Sequence, residues 1–123
     1  PVAKTKGSVN ADQTFESTNT TYVVTATQLD YFIDGVKHAS ITLKRGATYT
    51  FDVSDFGNAH PFRFSTTPDG TFGGGTAFND GVTYVDEGTI TWTVPENLSA
   101  SVMYYYCTIH ANMAGSGVIS ITD

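Results

Sequence analysis

Two stretches of strict alternation limit what this chain can fold into. Over residues 48–53, Tyr49, Phe51 and Val53 fall on one side, and Thr48, Thr50 and Asp52 on the other. Over residues 89–94, Ile90, Trp92 and Val94 oppose Thr89, Thr91 and Thr93, until Pro95 stops the run. Successive side chains of a strand point to opposite faces, so each stretch reads as a strand with one buried face. Proline lacks the N–H that a ladder needs, which is why the second run ends where it does.

Further β-branched and aromatic runs lie at 22–27, 29–33, 39–43, 62–65, 82–85, 102–107 and 118–122. Turn residues such as Asp34-Gly35 and Lys44-Arg45-Gly46 separate them. The 82–85 run is expected at a sheet edge. No segment keeps a helical period, although residues 96–100 have room for one turn. The 66–81 stretch holds Pro68-Asp69-Gly70 and Gly73-Gly74-Gly75 and is expected to be a mobile hairpin that shields a site. Eight or nine short strands at regular spacing indicate an all-β sandwich or barrel. Residues 1–20 read as a polar arm, and 21–123 as a single domain. At 123 residues, 40% of them hydrophobic, the chain is long enough for one real core.

The formal charge of −6, from 12 acidic and 6 basic residues, argues against a nucleic-acid partner, because an acidic surface repels phosphates. No run approaches the ~18–20 apolar residues of a transmembrane helix. A processed or trimmed N-terminus is expected to account for Pro1 as the first residue. Asn19-Thr20-Thr21 and Asn97-Leu98-Ser99 match the glycosylation acceptor pattern, a common accident.

The single cysteine cannot form a disulfide within the chain, so its neighbours decide its role. It lies in Tyr104-Tyr105-Tyr106-Cys107-Thr108-Ile109-His110-Ala111-Asn112-Met113, a Cys-x2-His-x2-Met arrangement where a strand gives way to a turn. Alternation puts Met103, Tyr105 and Cys107 on one face, so the thiol leans over the rim of the core. Thiolate, imidazole and thioether together suit copper. A trigonal site of two imidazoles and one thiolate, with a weak axial thioether, is tolerable to both Cu(I) and Cu(II). The second histidine is His60 or His38. His60, in Asn58-Ala59-His60-Pro61-Phe62, sits at a loop-to-strand junction; His38 sits in a charged turn and reads as a surface residue. Context favours His60. A buried inert cysteine, a zinc site and a histidine-activated thiol nucleophile are the competing readings.

Cys-x2-His-x2-Met after an aromatic strand, with His60 upstream, resembles the cupredoxins, the small type 1 copper proteins such as plastocyanin and amicyanin. The resemblance covers roughly residues 22–122. It implies an eight-stranded Greek-key sandwich holding one copper ion at one end, with His60, Cys107 and His110 equatorial and Met113 axial. It also implies an extracytoplasmic protein that carries single electrons between protein redox partners docking near His110. The acidic surface suggests that those partners are basic or weakly charged.

Two departures qualify the resemblance. Pro61 stands where carriers commonly have Asn or Ser, whose N–H donates to the ligating sulfur; its absence favours Cu(II) and lowers the potential. The ligand loop contains no proline, so Met113 has freedom to stand away from the metal. That second departure opens a different expectation, a small redox enzyme whose copper binds a diatomic such as nitric oxide or superoxide. A copper-binding or structural module without redox turnover is the third. His60-Pro61-Phe62 also resembles the start of the type 1 motif of multicopper oxidases. Phe62-Arg63-Phe64 then supplies none of the histidines of a trinuclear cluster.

Overall fold

The computed structural model describes residues 20–123; the expected polar arm and the first acceptor asparagine, Asn19, lie outside them. Ten strands form among the described residues. They are β1 (Thr21–Ala26), β2 (Tyr31–Ile33), β3 (Val36–Lys37), β4 (Ile41–Lys44) and β5 (Thr48–Asp52), then β6 (Phe62–Ser65), β7 (Val82–Asp86), β8 (Thr89–Thr93), β9 (Val102–Cys107) and β10 (Ile119–Thr122). One sheet has the order β3-β2-β1-β5-β8-β7, the other β4-β10-β9-β6. Most pairs are antiparallel, but β1 runs parallel to β5 and β4 parallel to β10, so both sheets are mixed. The chain is an all-β sandwich, with β7 at an edge as its sequence indicates. The strand the residue runs leave out is the two-residue β3. Asp34 (φ 49°) and Gly35 (φ 80°) fold it back onto β2, in the double-positive turn that an Asp-Gly pair favours.

Alternation translates directly into burial. Tyr49, Phe51, Val53, Ile90, Trp92 and Val94 are all buried. On β9, Met103, Tyr105 and Cys107 are buried as expected, but so is Tyr106 on the opposite face. The cover is the 66–81 segment, which forms a short 3-10 helix at Gly70–Gly73 rather than a hairpin. A side chain at Gly70 would collide with the Tyr106 ring, and its φ of +52° also suits glycine.

Aromatic rings join the two layers. Phe64 of β6 stacks on Trp92 of β8 with ring centroids 4.5 Å apart, and Phe51 of β5 meets Phe62 and Phe64 at 5.7 and 5.1 Å. The Trp92 indole N–H donates to the Asp80 carbonyl, so its one polar atom is satisfied inside the core. Trp92→Ala is expected to lower the unfolding free energy by about 3–5 kcal/mol, read as a lowered denaturation midpoint. Val85→Ala, on the exposed edge strand, should stay within about 0.5 kcal/mol. Equal effects would contradict this placement of the core.

Candidate metal centre

Cys107 is the last residue of β9 and pairs with Phe62, the first residue of β6. Beyond the strand ends the two chains stay together through one further bond, Thr108 N–H to the Pro61 carbonyl at 3.2 Å. His60 and the turn that carries His110 are therefore held side by side. A short 3-10 turn at Gly57–Ala59 leads into His60, and the Phe56 ring lies edge-on to its imidazole at 6.1 Å. Pro61 then forces the chain into extended structure, since the residue before a proline is barred from the helical region.

The result is a convergence of three ligand atoms. His60 Nδ1 lies 3.2 Å from His110 Nδ1, and Cys107 Sγ lies 4.0 Å from the first and 3.7 Å from the second. A point inside this triangle sits roughly 2.1 Å from all three atoms, within the ~2.0–2.3 Å of imidazole and thiolate bonds to a zinc-sized ion. Two imidazole nitrogens this close hydrogen-bond only when one carries the proton, and a cation between them removes that restriction. His60, Cys107 and His110 thus form a group that could hold a metal ion. It is the one such group of His, Cys, Asp and Glu among the described residues, and no carboxylate belongs to it.

The environment is graded. Cys107 is wholly buried, His60 half-buried and His110 exposed, so the sulfur faces the core and one imidazole edge faces water. Burial first, and then electrostatic repulsion by the neighbouring His110, hold the His60 imidazole below its ordinary pKa of 6.5. At neutral pH its lone pair is therefore free for a metal.

His38, the histidine that context set aside, takes no part. Its Nε2 is 2.7 Å from Asp30 Oδ1, and its ring packs over Gly115, so it is better anchored than a surface residue. Met113 is fully buried, in the same core cluster as Cys107. Its thioether is thus confined to the interior of the sandwich despite the proline-free loop.

Sequence reasoning missed what shapes the loop. Asn112 adopts φ 65°, and its N–H donates to both carboxylate oxygens of Asp69, at 3.0 and 3.1 Å. Asp69 comes from the segment that also covers Tyr106, so one turn serves both purposes. The only signal for it in the sequence is the Pro68-Asp69-Gly70 turn chemistry.

No protein-family model, curated protein or solved structure matches the chain. The reading of the site therefore rests on its own geometry.

The lowered His60 pKa fixes a pH dependence for the metal-free protein. As pH falls below about 6.5 the unfolded chain takes up this proton before the folded one does, so stability drops until the folded pKa is passed. Chemical denaturation between pH 7 and pH 5 should show that decline, with a smaller slope in His60→Gln. Equal slopes in the two proteins would contradict the assignment.

Proposed function

We propose that this chain is a type 1 copper protein of the cupredoxin kind, acting as a one-electron carrier between protein redox partners. The observation that carries the reading is the convergence of Cys107 Sγ, His60 Nδ1 and His110 Nδ1 on one point. One thiolate and two imidazoles at the rim of a β-sandwich are the trigonal donor set that copper tolerates in both oxidation states. Bound copper supplies a one-electron couple; the rest of the task falls to the protein.

Each residue has a part in that task. Cys107, buried at the end of β9, offers its sulfur from the dry side, where water does not compete for it. His60 stays neutral and fixed by the turn behind it. His110 presents its exposed edge to solvent, which makes it the natural point of contact for a partner. Met113, buried in the same core cluster as Cys107, is proposed as the fourth donor, a thioether. The ligand atoms are already grouped within the fold, so loading and electron exchange need little rearrangement.

The same donor set read as a small redox enzyme, whose copper binds a diatomic such as nitric oxide or superoxide, differs from the carrier in needing Met113 to stand away from the metal. The net charge of −6 favours basic or weakly charged partners, with association slowed by salt. An extracytoplasmic location accords with this reading.

Voltammetry of the copper-loaded protein tests it. One reversible one-electron wave per chain is expected, unmoved by millimolar azide and displaced in Met113→Ala. A wave that azide shifts, while Met113→Ala leaves it in place, would replace the carrier with a reactive open site.

A further inference from the structure

One buried residue far from the ligands in sequence touches almost every segment that carries them. Tyr31, in β2, is 0% exposed, and its ring lies 5.1 Å from Phe62, 5.4 Å from Phe56 and 6.2 Å from Tyr105. Its hydroxyl donates to the backbone carbonyl of His60 at 2.7 Å. Its backbone N–H donates to the carbonyl of Met113 at 2.8 Å. The Cys107 sulfur is a further neighbour of the same hydroxyl.

We propose that Tyr31 is the positioning residue of the metal centre, tying the His60 segment and the Met113 turn to the opposite sheet and so fixing the spacing of the ligands. The role rests on a metal being held by His60, Cys107 and His110, not on that metal being copper. Without the tie, the His60 carbonyl loses its hydrogen-bond donor, and the segment keeps only the 3-10 turn, the Phe56 ring and the Thr108–Pro61 bond, none of which hydrogen-bonds it to β2. The ring contacts alone do not supply it, because stacking restrains a plane and not the position of a carbonyl. A phenol ordinarily titrates near ~10, so the hydroxyl remains a donor throughout neutral pH.

Tyr31→Phe removes the hydroxyl and keeps the ring. Tyr105→Phe is the control: Tyr105 is equally buried and keeps its ring contacts in this variant, while the hydroxyl it loses donates to the carbonyl of Ala39, which is no part of the ligand segments, at 2.7 Å. The probe is cobalt(II), whose thiolate and d–d bands report the geometry of a site with one thiolate and two imidazoles, whatever its natural metal. Removing a group that orients metal ligands typically weakens binding 10–100-fold, so Tyr31→Phe should bind cobalt(II) at least about 10-fold more weakly, with displaced bands. Tyr105→Phe should lose comparable thermal stability and keep the affinity and spectrum of the parent chain. Unchanged binding and bands in Tyr31→Phe, or equal changes in both variants, would overturn the positioning role alone. A parent chain that binds cobalt(II) but gives no type 1 spectrum with copper removes the proposed function and leaves this role to the same comparison. A parent chain that binds neither metal overturns both.

Discussion

The pairing of β6 with β9 governs where every ligand goes. Four residue pairs run from Tyr104 opposite Ser65 to Cys107 opposite Phe62. Strand side chains alternate, so a slip of one residue would turn Cys107 out of the core and carry His60 past the turn it faces. What holds the register is packing. Phe62 stacks on Tyr105 at 5.4 Å, and Phe64 packs against both Phe51 and Trp92. The candidate metal site is thus a by-product of the aromatic core. The same rings that join the sheets also fix the spacing of the ligand atoms.

A site built this way is ready before a metal arrives. Three ligand atoms converge with no carboxylate among them, and the buried sulfur and exposed imidazole give the centre a dry side and a wet side. In the proposed carrier, the wet edge at His110 would be the short path between metal and partner, and the dry side would limit how far the ligands relax between oxidation states. Pro61 has a double effect. It stiffens the approach to β6 and its carbonyl accepts the Thr108 N–H, yet it leaves the position after His60 without an N–H donor. Asp69 and Tyr31 then act from two different sides, one on the Asn112 amide and the other on the carbonyls of His60 and Met113.

The parts of this arrangement that were legible in the sequence are the local ones. Alternation in residues 48–53 and 89–94 marks buried faces because a strand's period is a property of its own backbone. Cys107 and His110 stand out because they share one turn, and His60 because proline and a strand start follow it. What stayed hidden depends on contacts between distant segments. Tyr106 should face outward by its period, and is buried only because residues 70–73 fold over it. Asp69 lies 43 residues from Asn112 in the chain, and Tyr31 lies 29 from His60, so nothing in the local pattern links them. β3 escaped notice because two residues carry no period at all.

Visible absorption after stoichiometric addition of copper(II) tests the central claim most directly. The account predicts one copper per chain and an intense thiolate-to-copper(II) band that disappears in Cys107→Ser while that variant remains folded. A folded, copper-loaded chain with no such band, or one whose band survives in Cys107→Ser, would contradict it.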